Sequence, residues 1–256
     1  MRAIDAINPM DEAFAHAVKG GITSACTGPG SANVIGGTFA AIKTVGICVD
    51  DMLIRDGVAM KCAFGENPKG VYGQNSRKAP VTRMATAAML RDLLFKAKNY
   101  CEAKQNGKDP SFDMKLEAMI PVIKKEIPLK AHVYRADDIF TAIRIAREFD
   151  VNITLDHCTD GALIAEDLAK EGLPAFIGPS FGTKTKIELR NKSFTPPVVL
   201  QNAGVPISII TDAPVIPLEH LSMCAGFAVS AGLDYEDGWR AITVGPATQT
   251  GIGDRV

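Results

Sequence analysis

The chain has 256 residues, of which 46% are hydrophobic, and this is enough apolar material for one large α/β domain over residues 1–256. Its 28 Lys and Arg nearly balance its 29 Asp and Glu, so a basic nucleic-acid-binding surface is not indicated. The six cysteines form no C-x-x-C pair, and no segment has the pattern of a signal peptide or membrane span. These features predict a cytoplasmic protein whose partner is a small-molecule substrate. Binding to nucleic acid or to a membrane is not expected, and formation of a homo-oligomer is possible.

Short apolar runs alternate with helical stretches along the chain, a pattern typical of βα units around a parallel sheet. A helix is predicted first, over residues 8–21. Seven predicted strands follow, each ending near Gly, Pro, Asp or Thr, over 22–28, 40–46, 59–65, 129–134, 152–158, 174–180 and 206–213. Helices are predicted between most of the strands, at 82–104, 136–149 and 161–172, and the alternation is regular after residue 128.

The number of strands suggests the fold class. Seven strands are one fewer than in a (β/α)₈ TIM barrel, whose usual length is about 250 residues. Because a helix precedes the first predicted strand, we expect an α/β TIM barrel that is incomplete, with its first strand missing. An open, doubly wound sheet is the alternative.

Polar residues lie at or near the ends of four predicted strands, where parallel sheets carry their functional side chains. They are Lys61, His132, His157 and Asp212. A single histidine on an apolar strand is usually a core residue, but two on successive strands would converge. Together with a carboxylate they offer the ligands that zinc or a similar divalent ion prefers.

Lys61 lies within an apolar strand, where a charged lysine is costly to bury. It could extend to the surface or pair with Glu66. A neutral Lys61 could instead react with carbon dioxide and bridge two metal ions as a carbamate. It could also serve as the Schiff-base amine of a metal-free lyase or isomerase.

Two Gly-rich segments accompany these strands. Residues 27–37, TGPGSANVIGG, lack the spacing of phosphate-binding loops, which favours a tight loop over the barrel mouth. Residues 65–73, GENPKGVYG, directly follow the Lys61 strand. Glu66 and Asn67 in this segment are candidates for contacting substrate or supporting the site, with a turn or capping role as the alternative.

Tyr134 and Arg135 come just after His132 at the end of a predicted strand. Both could bind a carbonyl or carboxylate group of a substrate. For Arg135, an ion pair at the start of the following helix is an equally suitable role.

Five segments spread over nearly the whole chain are GITSACTGPGSANVIGGTFAAIKT, AMKCAFGENPK, KAHVYRADDIFTAIRIA, LDHCTDG and ITDAPVIP. Together they resemble the metal-dependent amidohydrolase superfamily, and specifically its imidazolonepropionase-like branch. In that superfamily a (β/α)₈ barrel holds one or two divalent metals. The ligands are a His-x-His pair on the first strand, Lys or Glu on the fourth, His on the fifth and sixth, and Asp on the eighth. Lys61, His132, His157 and Asp212 match the last four in order.

The resemblance implies hydrolysis of an amide or cyclic amide by metal-activated water, with one or two divalent ions and zinc as the expected metal. Lys61, His132, His157 and Asp212 would then be metal ligands, with Lys61 carbamylated. Asp212 would also be the catalytic residue, taking a proton from the water and delivering it to the departing nitrogen. Glu66, Tyr134 and Arg135 would bind the substrate.

The sequence also departs from the family pattern. Residues 1–256 contain no His-x-His, so we expect an incomplete barrel that lacks the family's first strand and its small β-sandwich. Tyr134 and Ala213 stand where close relatives often have His. The alternative function is therefore a catalytically incomplete barrel that acts as a structural or binding module, with unpaired strand edges that favour association.

Overall fold

The computed structural model describes residues Met1–Val256. Seven strands form one sheet and are ordered in space as they are in the sequence. They are β1 (Ser24–Thr27), β2 (Ile35–Lys43), β3 (Leu53–Ala63), β4 (Leu129–Val133), β5 (Ile153–His157), β6 (Ala175–Ile177) and β7 (Ile207–Ile209). Each strand overlaps one of the seven predicted strands, so their number and approximate positions are confirmed.

Eleven α-helices connect and flank the strands. They are α1 (Glu12–Lys19), α2 (Val49–Met52), α3 (Glu66–Lys69), α4 (Arg83–Gln105), α5 (Met114–Ile123), α6 (Ala136–Phe149), α7 (Ala165–Glu171), α8 (Pro196–Asn202), α9 (Leu221–Ser230), α10 (Tyr235–Arg240) and α11 (Val244–Gln249). A π-helical turn, Gly70–Asn75, continues directly from α3. No helix combines the length and the apolar character that crossing a membrane requires.

The sheet is mixed, and the prediction of βα units is wrong for the connections from β1 to β2 and from β2 to β3. β1 pairs antiparallel with β2, and β2 pairs antiparallel with β3, whereas β3 to β7 are all parallel. The reason lies in the connections. A parallel crossover needs about a dozen residues or more, but only residues 28–34 join β1 to β2, so the Gly-rich segment forms a hairpin loop.

The result is an α/β fold with a curled, mixed, seven-stranded sheet that describes half a barrel. β1 and β7 lie at opposite edges of the sheet and do not pair with each other. A closed, wholly parallel barrel is therefore not formed by these residues.

Helix α6 shows how the sequence specifies the packing around the sheet. Ile139, Ala142, Ile143 and Ala146 follow the spacing of one helical face, and all four are buried. The helix ends at Asp150, whose left-handed backbone, with a φ of 54°, stops the helical pattern. The chain then enters β5, and the regular alternation predicted after residue 128 is confirmed from β4 to β7.

Candidate active site

The parallel strands have one apolar face and one polar face. Alternate residues of β4 and β5, such as Leu129 and Leu155, pack into the main hydrophobic core beneath the helices. The residues between them, which point to the other face, are Lys130, His132, Thr154 and Asp156, and all are buried. Because successive side chains of a strand point to opposite faces, the concave face of the half barrel is lined with polar groups.

His157 breaks this alternation, and its backbone explains how. By strand periodicity it would share the apolar face with Leu155, but its φ is 74°, in the left-handed region that non-glycine residues rarely adopt. Its ring instead lies against that of His132, with 4.5 Å between the ring centroids. Such strain costs about 1–3 kcal/mol and typically occurs at functional sites. The predicted convergence of the two histidines is thus observed.

The two imidazoles have different hydrogen-bonding surroundings. His157 Nδ1 lies 2.6 Å from the carbonyl oxygen of Gly178. Since a carbonyl can only accept, Nδ1 must donate, and this leaves Nε2 as the nitrogen with a free lone pair. Both ring nitrogens of His132 are buried and have no partner. Burial, His157 and Lys61 lower the pKa of His132 well below its usual value, so its ring is neutral.

Gly178 has a specific reason to be glycine. Its φ is 136°, and a Cβ there would lie 2.2 Å from the carbonyl oxygen of Ile210. Strands β6 and β7 therefore approach closely just past their carboxyl ends. The Gly178 carbonyl at this point is the group that His157 Nδ1 contacts.

A buried charge cluster lies beside the histidines. Asp156 Oδ1 is 2.7 Å from Lys130 Nζ, and its Oδ2 is 3.7 Å from Lys61 Nζ. The shorter contact is an ion pair whose angles are not those of a hydrogen bond, so neither of its two atoms has a hydrogen-bond partner. Burial opposes ionisation of Asp156, but Lys130 and then Lys61 outweigh it and lower its pKa. The Lys130 ammonium also lies 3.2 Å from the centroid of the Phe176 ring.

Lys61 is a member of this buried charge cluster. The side chain is only 6% exposed, so it lies inside the site as predicted, and it pairs with Asp156 rather than with Glu66. Sequence reasoning missed both Lys130 and Asp156. The signal that could have revealed them is the alternation in LKAHV and ITLDH, in which every second residue is polar or charged.

Asp212 follows β7 and differs from the other predicted ligands in being exposed. Its backbone is left-handed, with a φ of 53°. Burial lowers the pKa of His157, and the nearby Asp212 and Asp156 carboxylates oppose that effect. Asp212 therefore lies close enough to act on the imidazole electrostatically.

Tyr134 completes an aromatic cluster with the histidines. Its ring centroid is 4.6 Å from that of His132 and 4.8 Å from that of His157. Burial, followed by the Asp212 charge, raises the pKa of its phenol, which stays protonated. Arg135 points elsewhere, because its guanidinium donates two hydrogen bonds to Asp137, at 2.9 and 3.0 Å. It thus makes the ion pair at the start of a helix that was the alternative to substrate binding.

A second buried ion cluster supports the rim of the site. Glu188, whose side chain is fully buried, accepts hydrogen bonds from Arg83 at 2.6 Å and from the backbone N–H of Glu66 at 2.7 Å. Arg83 also donates to both oxygens of Asp138, at 3.1 and 3.0 Å. Burial, with a contribution from Glu66, raises the pKa of Glu188 to about 7. A Cβ on Gly65 would lie 2.4 Å from Glu188 Oε1, so only glycine fits there.

The side chains fit a metal site in part. Two adjacent neutral imidazoles suit a divalent ion, and a ligating histidine commonly donates its other nitrogen to a carbonyl, as His157 does to Gly178. The unpartnered nitrogens of His132 are the strongest sign that a group is to be bound. However, no three His, Cys, Asp or Glu side chains in residues 1–256 are close enough together to hold an ion.

No family model matches this chain. The chain is 27% identical, over 284 residues, to the amidohydrolase tasK of Hapsidospora irregularis, and the match covers 100% of this chain but only 29% of that curated relative. It is also similar to the crystal structure of an amidohydrolase from Thermotoga maritima MSB8. The TM-score is 0.94 and the identity 41%, over 98% of this chain and 67% of that one.

Proposed function

Because the chain belongs to the amidohydrolase family, we propose that it takes part in hydrolysis of a C–N bond in an amide or cyclic amide. The observation that carries this proposal is the pair of imidazoles at the strand ends, one of which has two buried nitrogens without partners. Leaving such groups unsatisfied is costly unless a ligand pairs with them. The substrate class follows the imidazolonepropionase-like resemblance of the motifs.

We propose that the site holds one or two divalent ions, with zinc the expected metal. His132 and the free Nε2 of His157 would be its imidazole ligands. Lys61, which lies beside Asp156 as an ammonium, would first have to lose a proton and react with carbon dioxide before its carbamate could serve as a further ligand. When bound, such an ion polarises a substrate carbonyl and lowers the pKa of water to about 7. The Gly178 carbonyl keeps His157 in the tautomer that this role requires.

The proton transfers are assigned to Asp212 in this proposal. Its exposed position at the end of β7 allows contact with both water and substrate, and its charge already acts on His157. A carboxylate there can accept a proton and pass it to the departing nitrogen, as general acid–base catalysis requires. Tyr134, protonated and next to both imidazoles, would donate a hydrogen bond to the substrate carbonyl.

A second candidate function is a catalytically incomplete barrel that acts as a binding module. The observation that favours it is that no group of three metal-binding side chains is assembled in residues 1–256. The chain also spans only 67% of the solved relative. Under the hydrolase proposal, the remaining ligands would instead be the His-x-His pair that the family resemblance implies on a first strand.

One experiment separates the two candidates. Residues 1–256 and a version extended at the N-terminus by a strand with a His-x-His pair are assayed with Zn²⁺ or Mn²⁺ on cyclic amides and dipeptides. We expect weak turnover from residues 1–256 and chelator-sensitive turnover from the extended version. Turnover from neither version would favour the binding module, and rapid turnover by residues 1–256 alone would show that the His pair is not needed.

A further inference from the structure

The loop of residues 178–195, between β6 and α8, places a cation beside the site. Lys186 is half-buried, and its Nζ lies 4.7 Å from the centroid of the Tyr134 ring. The same ring contacts both imidazoles, with centroid distances of 4.6 Å to His132 and 4.8 Å to His157. Lys186 therefore lies within the reach of a small substrate bound at the histidines.

Lys186 has no charged partner in contact with it. Its ammonium donates one hydrogen bond, to Asn67 Oδ1, and makes no ion pair. Burial lowers its pKa, and the more distant Glu188, Glu66 and Asp212 charges only partly oppose this. An ammonium carries three donors, so two remain for a ligand.

A cavity of about 540 Å³ adjoins this ammonium. It lies between the π-helical turn and the 178–195 loop, and its lining is mostly polar. Lys186 and Asn67 contribute a cation and an amide, while Gln74 and Asn75 add two more amides. The charged residues of the lining are Lys186, Lys69 and Glu66, so two cations face one carboxylate and the cavity suits a ligand with one negative charge.

We propose that Lys186 and Asn67 bind a carboxylate of the substrate, so that the amide taken by this site carries a carboxylate within a few bonds of the scissile bond. The inference rests on the proposed function and specifies its substrate class. A carboxylate supplies the negatively charged partner that the Lys186 ammonium lacks, and it accepts hydrogen bonds from the donors that face the cavity. The charge-assisted contact would also orient the amide toward the imidazoles.

The test compares two ligands that differ only in this group, N-acetylglycine and N-acetylglycinamide. Their binding to the whole chain is measured by ligand-observed NMR titration, which needs no turnover. We expect N-acetylglycine to bind at least about tenfold more tightly, because a hydrogen-bonded charge is worth about that much. Lys186→Met should abolish the preference, and Lys184→Met, on the same loop but exposed, should keep it.

The outcomes separate this inference from the proposed function. Equal binding of the two ligands by the parent chain, or a preserved preference in Lys186→Met, would overturn the carboxylate site. Lys186→Gln gives the same test if the methionine variant melts at a lower temperature than the parent. If the preference is present but no amide is hydrolysed by either the chain or its extended version, the hydrolase proposal fails while the carboxylate site stands.

Discussion

Glu188 offers the most quantitative test of the forces that hold the rim of the site. Its pKa is raised from the ordinary 4.5 to about 7, first by burial and then by the Glu66 charge. The folded chain therefore holds this proton more tightly than the unfolded chain. The contribution of Glu188 to stability is fully present below pH 4.5 and falls as the pH rises to 7. The two pKa values correspond to a loss of about 3 kcal/mol.

The perturbation is Glu188→Gln, which keeps an oxygen acceptor for Arg83 but has no proton to lose. Urea unfolding of parent and variant at pH 5, 6, 7 and 8 gives the free energy of unfolding of each. We expect the parent to lose about 2.5 kcal/mol relative to the variant over this range. The neutral, buried His132 has the opposite pH dependence, but it is present in both proteins and cancels in the difference.

Glu148→Gln is the matched control, because Glu148 pairs with Arg91 at 2.7 Å but is 46% exposed. The difference in the free energy of unfolding between Glu148→Gln and the parent should change by no more than about 1 kcal/mol over the same pH range, because surface ion pairs contribute little. A constant difference between parent and Glu188→Gln would refute the assignment of a raised pKa. A difference that favours the parent as the pH rises would show that the Arg83 ion pair dominates instead.

Three further predictions concern residues on or next to the parallel strands. Gly204 has a positive φ and open space around it, so Gly204→Ala should destabilise the fold by about 1 kcal/mol. Gly178→Ala should destabilise it by more, because the new Cβ would clash with the Ile210 carbonyl. It should also alter the ¹⁵N imidazole shifts of His157, which contacts the Gly178 carbonyl. His132→Ala should lower the zinc retained after dialysis, measured by elemental analysis, and unchanged zinc would remove it from the ligand set. Lys130→Met should lower the free energy of unfolding in urea by about 3–5 kcal/mol, because it removes the close partner of the buried Asp156. Lys61→Met should lower it by less, because the contact of Lys61 with Asp156 is longer, at 3.7 Å. Equal losses in the two variants would contradict this ranking.

Much of the fold could be predicted because each strand is a short apolar run bounded by turn residues. What could not be predicted is the direction of β2, which pairs antiparallel with both of its neighbours. The runs that became β1 and β2 look the same whether they pair parallel or antiparallel, and only the short loop of residues 28–34 distinguishes the two. The open edge between β1 and β7 depends on long-range pairing that local patterns do not encode.

The site was predictable where chemistry and strand position coincide. Lys61, His132 and His157 stand out because polar residues are unusual at the ends of apolar strands, and the structure brings their side chains together. The contact between Arg83 and Glu188 joins residues 105 positions apart, and neither lies on a predicted strand. No local pattern marks such a pair, so it emerges only from the coordinates.

Lys186 and Glu188 lie on the same short loop but have different roles, since Glu188 holds the loop in place and Lys186 would bind the substrate. The two residues are separated by a single position, yet Glu188 is buried against Arg83 and the Glu66 backbone while Lys186 turns toward Tyr134. Because Glu188 ties the loop to the segment that follows β3, it fixes the distance between the ammonium and the imidazoles. A cation held in this way is preorganised for a ligand and need not be ordered when the ligand binds. The position of Lys186, which would bind the substrate carboxylate, therefore depends on the buried carboxyl of Glu188.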